Sequence, residues 1–115
     1  MAYMLLIVEP QGQRDVRSEP EGRAVYQRML DYSESLKARG VLLASNSLRE
    51  RAARLRIRGG RQSIVDGPFA ESKELVGGFF LLDCATREQA LSLAAECPAA
   101  EWATVEVREV GPCYE

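Results

Sequence analysis

The sequence contains no histidine, which removes the side chain most often used as a general base, a metal ligand or a switch near neutral pH. Cysteine is scarce too: Cys84, Cys97 and Cys113 form an odd set without C-x-x-C spacing, so neither a disulfide framework nor a zinc knuckle is indicated. With only carboxylates and scattered thiols available, and no recurring ligand spacing, no metal site and no cofactor are expected. Long apolar runs are missing as well. The opening stretch Ala2 to Val8 meets Glu9 and Pro10 far too early to cross a bilayer and lacks the basic start of a secretory signal. The expectation is a cytoplasmic protein with no membrane contact.

What is present fits one globular domain over residues 1–115: 46% of residues are hydrophobic and 28% charged. The net charge of −2 creates no whole-molecule attraction for nucleic acid or anionic lipid. Any charged site is therefore local.

Ala2 to Val8 reads as a buried first strand, too short for a stable helix and rich in strand formers. Gln11 to Glu19 has no periodic apolar residue and reads as a surface loop, leading to a helix that starts at Ser18 to Glu21 with Pro20 in its first turn. Val25, Tyr26, Met29, Leu30 and Leu36 recur at helical spacing, and Gly40 stops the helix. Val41 to Ala44 is a second strand. Leu55 to Arg58 and Arg61 to Ile64 flank Gly59-Gly60, whose freedom to take positive φ suits a two-residue type I′ hairpin. Leu75 to Asp83 is a strongly apolar strand in which Gly77-Gly78 signals a bulge or a close backbone approach. Thr86 and Gln89 form a capping box opening a second helix with Ala90, Leu91 and Ala94. Val105 and Val107 alternate with Glu106 and Arg108 in a last strand.

Without the short hairpin the order is β-α-β-β-α-β, which predicts an α+β, ferredoxin-like domain: an antiparallel sheet with two helices on one face and an inserted β-hairpin. In Tyr3 to Val8 and Phe79 to Leu82 both alternating sets of side chains are apolar, although two helices cover only one face. An exposed apolar sheet face is an association site, so the expected assembly is a homodimer with sheets packed face to face.

The most specific string is Val65-Asp66-Gly67-Pro68-Phe69-Ala70-Glu71-Ser72-Lys73-Glu74, followed by Leu75-Val76-Gly77-Gly78-Phe79-Phe80. It resembles the signature of the DGPF-motif branch of the YCII-related family, and the resemblance continues through Cys97-Pro98-Ala99-Ala100 and Val105 to Arg108. It implies a ferredoxin-like domain that dimerises as a dimeric α/β barrel. The family is largely without assigned activity, and its members are similar to small proteins encoded beside extracytoplasmic-function sigma factors. Some relatives outside this branch are enzymes that use a His–Asp pair, which a chain without histidine does not supply. Where the family's last strand commonly reads EVRP, here Glu109 follows Arg108.

The ordinary work of Asp66, before a Gly-Pro turn, is to accept backbone hydrogen bonds. The functional alternative gathers Asp66, Glu71, Lys73 and Glu74 at the rim of a small-molecule cleft with Arg108 nearby, where two carboxylates beside an ammonium hold a polar ligand or act as acid and base. A histidine-independent lyase or hydrolase built on carboxylates falls under that alternative. Phe69 reads as a plug that anchors the loop, and Cys84 as a small buried apolar residue. Thirteen arginines stand against two lysines, and six of them, including Arg56, Arg58 and Arg61, lie between Arg49 and Arg61 with Glu50 as the only acid. Solvated arginines are the plain reading. An anion site or a docking surface for an acidic protein partner, as in an interaction module of sigma-factor transcriptional control, is the sharper one. Nucleic acid is disfavoured because no aromatic residue interleaves with the arginines.

Overall fold

Burial along the first strand alternates strictly. In β1 (Ala2–Pro10) the side chains of Tyr3, Leu5, Ile7 and Glu9 are buried, while Met4, Leu6 and Val8 are half-buried. In the computed structural model, which describes residues 2–115, β1 lies inside a four-stranded antiparallel sheet of order β2-β5-β1-β6. The other strands are β2 (Leu42–Ser47), β5 (Glu74–Asp83) and β6 (Thr104–Glu109). Helix α1 (Glu19–Ala38) joins β1 to β2, and α2 (Arg87–Ala95) joins β5 to β6. Tyr32 and Leu36 of α1 and Ala90, Leu93 and Ala94 of α2 pack with Tyr3, Leu5, Ile7, Phe80 and Leu82 in one core. Both helices therefore cover the same face, as the ferredoxin-like pattern requires.

Each helix begins with a reciprocal capping box, Ser18 with Glu21 and Thr86 with Gln89, so side chains satisfy the free backbone donors of the first turn. The two ends of α1 pack differently. Its C-terminal half is anchored by Tyr32 and Leu36, whereas Val25 and Met29 are half-buried and Tyr26 and Leu30 exposed. The N-terminal half stands off the sheet, leaving a space beneath it.

Tyr32 is the polar member of the core. Its hydroxyl donates to the Leu93 carbonyl at 2.7 Å and its ring meets Phe80 edge-on, with centroids 5.1 Å apart. Burial pushes the hydroxyl well above the ordinary tyrosine value of 10.0. The folded state thus holds a proton that the unfolded chain releases near pH 10, and this stability is complete below pH 10 and is lost as the pH rises above it. Tyr32→Phe is expected to cost about 0.5–1.5 kcal/mol at neutral pH and to flatten the decline above pH 10, as measured by urea unfolding on both sides of that value.

Between β2 and β5 the chain makes a second, two-stranded sheet, β3 (Ala53–Arg58) with β4 (Arg61–Asp66). Gly59 and Gly60 have φ of 57° and 77°, the positive values that a type I′ turn demands. This hairpin is longer at both ends than Leu55 to Ile64, so Asp66 is a strand residue opposite Ala53 that closes β4, directly before the cis Gly67-Pro68 bond. Every residue of the hairpin is exposed. It is an arm. The radius of gyration is accordingly 16.0 Å, against about 13 Å for a compact chain of this length.

The sheet face away from the helices carries Met4, Leu6 and Val8 of β1 and Phe79 and Leu81 of β5, all half-buried, with Val76 exposed. The register adds Thr104, Glu106 and Arg108 from β6. No helix covers this face among the described residues.

Candidate functional site

Because Glu9 is in phase with Tyr3, Leu5 and Ile7, its carboxylate is carried to the helix-covered side of the sheet, where an unpaired charge is very costly. The cation comes from the next turn of chain. Gly12, at φ 85°, opens a short 3-10 turn over Gln13–Val16 that brings Arg14 back onto β1. Arg14 grips Glu9 with two donors, Nε to Oε2 at 2.9 Å and Nη2 to Oε1 at 2.7 Å. It also donates to the carbonyls of Leu48 at 2.8 Å and Gly77 at 3.3 Å. The hydrogen bonds it donates to Glu9 hold the Arg14 guanidinium above its usual value although burial opposes it.

Gly77 makes room for this pair. The β1–β5 register slips between Ile7 and Val8, so Ile7 faces Gly78, Val8 faces Val76, and Gly77 is the extra residue of a bulge. A Cβ on Gly77 would stand 1.7 Å from Glu9 Oε1 and 2.7 Å from Arg14 Nη2. One Gly-Gly pair thus supplies both a bulge and a close approach.

Above the pair lies a cavity of about 690 Å³ between the raised half of α1 and the sheet. Val25, Tyr26, Met29 and Leu30 form its roof, Ile7, Phe80 and Gly78 its floor, and Ser33, Ser45 and Trp102 its sides. The hydroxyls of Ser33 and Ser45 are 3.3 Å apart. Arg17 and Arg28 lie over the Trp102 ring at 5.8 and 5.3 Å, and Arg28 is ion-paired with Glu101. A largely apolar lining interrupted by charged and hydroxyl groups, Arg17, Glu19 and Arg23 among them, is compatible with a small-molecule pocket.

A second cavity, about 550 Å³, lies beside the DGPF loop and is lined by Val8, Leu75, Val76, Phe69, Glu74 and Arg54, among others. Arg54 stacks on Phe69 at 3.7 Å and donates to Glu71 at 3.1 Å and to Ser72 at 3.0 Å. Glu50 also lines this cavity. Its Oε1 is buried without a hydrogen-bond partner, 4.0 Å from Arg14 Nε. The Glu9–Arg14–Glu50 cluster consequently borders both cavities.

The sequence-derived candidates are dispersed. Glu74 lines the second cavity, and Glu71 is held at its rim by Arg54. Asp66 and Lys73 are exposed and line neither cavity. Arg108 faces Met4, whereas Glu74 faces Pro10 at the other end of β1. That separation is about 20 Å along the strand, so one chain does not bring Arg108 to the DGPF loop. Arg56, Arg58 and Arg61 lie on one face of the arm, with Arg58 opposite Arg61. Cys84 and Cys97 are buried, and burial pushes both thiols up, while Cys113 is exposed. Glu9 and Arg14 escape a reading by motif. The available signal was a carboxylate in phase with three core residues, which requires a cation nearby.

The YCII-related domain matches residues 1–113. An uncharacterized protein of Rhizobium meliloti (strain 1021) is 49% identical over 45 residues, a stretch that spans 39% of this chain and 36% of that protein. No helix among the described residues is long and apolar enough to cross a membrane, and no three acidic or thiol groups among them converge as a metal ion would need.

Proposed function

The chain belongs to the YCII-related domain family, and from that membership we propose that it is a homodimeric protein that binds a small organic molecule beneath α1, against the Glu9–Arg14 pair. The observation that carries this reading is the ion pair at the cavity wall, its glutamate buried and its arginine half-buried, fitted against a glycine whose Cβ would displace it. A buried pair contributes little net stability compared with apolar packing of the same volume, so its presence beside a large space favours recognition over stabilisation. The walls suit a ligand with an apolar body, and the Ser33 and Ser45 hydroxyls suit a hydrogen-bonding edge. The homodimer follows from the apolar sheet face opposite the helices, where Met4, Leu6, Phe79 and Leu81 gather on one surface.

The test uses saturation-transfer NMR with a fragment panel of acidic, basic and neutral aromatic and branched aliphatic compounds. Wild type is expected to give hits that Val25→Trp abolishes, because the indole fills the cavity from the half-buried face of α1. Circular dichroism checks that the variant is folded. Hits retained by a folded Val25→Trp protein would place the ligand elsewhere.

A further inference from the structure

The arm presents two opposite chemistries. The β3–β4 register puts Leu55 across from Ile64 and Ile57 across from Gln62 on one face, and puts Arg56, Arg58, Arg61 and the base residue Arg54 on the other. Leu55, Ile57 and Ile64 are 57%, 59% and 58% exposed. Among the described residues β3 and β4 pair only with each other, so both outer edges of the ribbon are free there. An isolated two-stranded ribbon is marginal in water, and an exposed aliphatic face on one is a surface made to be covered. Arg54 is tied to Glu71 at the base, but Arg56, Arg58 and Arg61 belong to no ion pair among the described residues.

The complementary surface is on the same chain. β6 is an outer strand whose outer edge is unpaired among the described residues. Glu106, opposite Leu6, and Arg108, opposite Met4, share the face away from the helices, and Glu109, opposite Tyr3, is on the other. Both glutamates are exposed and outside the ion pairs of the described residues. The arm leaves the sheet at the β2–β5 side, whereas β6 is the far edge strand, so within one chain the whole sheet lies between them. Six residues per strand reach about 20 Å, more than the 18 Å thin dimension of the molecule.

We propose that the β3–β4 arm is a clasp that reaches over to a second copy of this chain and lies along its β6 edge, with arm arginines against Glu106 on one face of that strand and the aliphatic face of the arm closed against the partner on the other. This rests on the homodimer of the preceding section and gives the arm a role in it. The charges oppose arm-to-arm contact, since Arg58 already faces Arg61, and they favour arm-to-β6 contact. Two symmetric clasps form per dimer.

Sedimentation velocity across a concentration series tests the clasp on the full chain. Leu55→Ser, Ile57→Ser and Ile64→Ser combined are expected to weaken the dimer about tenfold or more. All three positions are exposed, so the domain core is left intact. Arg58→Glu with Arg61→Glu is expected to weaken it similarly, and adding Glu106→Arg to that same chain is expected to restore it. A wild-type dimer unaffected by the arm variants overturns the clasp and leaves the homodimer standing. Weakening without recovery in the charge-swapped chain overturns β6 as the arm's seat. A monomeric wild type overturns the homodimer and the clasp together, while the α1 cavity is judged separately by its fragment test.

Discussion

Gly77→Ala is expected to destabilise the protein by about 1–3 kcal/mol, the cost of forcing an extra methyl into a filled site. The φ of Gly77 lies outside the left-handed region, so the backbone itself tolerates alanine there. The collision is with side chains. The new methyl stands where Glu9 Oε1 and Arg14 Nη2 now meet, so the pair must part or shift toward the cavity above it. If that is the cause, the penalty depends on the pair. In a Glu9→Ala, Arg14→Ala background the same Gly77→Ala substitution should be nearly neutral, and the difference is a coupling energy that urea unfolding of the four proteins reads directly. An equal penalty in both backgrounds would assign Gly77 to the bulge alone.

Leu36→Ala is the second large effect, expected at about 2–5 kcal/mol. Leu36 has no exposed surface, and with Tyr32 it provides the buried anchorage of a twenty-residue helix. Losing it loosens α1, the roof of the larger cavity, as well as the core. Leu93→Ala, on α2, supplies the comparison. Both variants should lose stability, but Leu36→Ala should raise hydrogen exchange of α1 amides, and weaken fragment binding, more than Leu93→Ala does. Equal behaviour of the two would mean that α1 is held by contacts other than its Leu36 anchor.

The fold was legible because its periodicities are strong and local. Val25 to Leu36 at helical spacing, the capping box at Thr86 and the Gly59-Gly60 turn each specify an element through chemistry within a few residues. Gly77-Gly78 was legible as a bulge or close approach, but not what approaches it, because Glu9 and Arg14 are far away in sequence. The stretch from Gln11 to Glu19, polar and aperiodic, reads as surface loop, yet its Gln13–Val16 turn carries Arg14 inward. The DGPF string points to Asp66, which closes an exposed strand and lines no cavity, while Glu74 at its other end does line one. Charged residues gather by sequence in the DGPF loop, but Glu9 and Arg14 meet because β1 carries Glu9 to the helix side and the Gly12 turn returns Arg14 to it.

The most direct test of ligand recognition beneath α1 is amide chemical-shift mapping of the ¹⁵N-labelled protein with the strongest fragment hit. Shifts are expected at Gly22 and Val25 on α1, Ser45 to Ser47 on β2, and Gly77 and Gly78 on β5, which together enclose the cavity over the Glu9–Arg14 pair. Shifts confined to Gln11, Leu48 to Ala52 and Phe69 to Ser72 would move the site to the DGPF-loop cavity and contradict it.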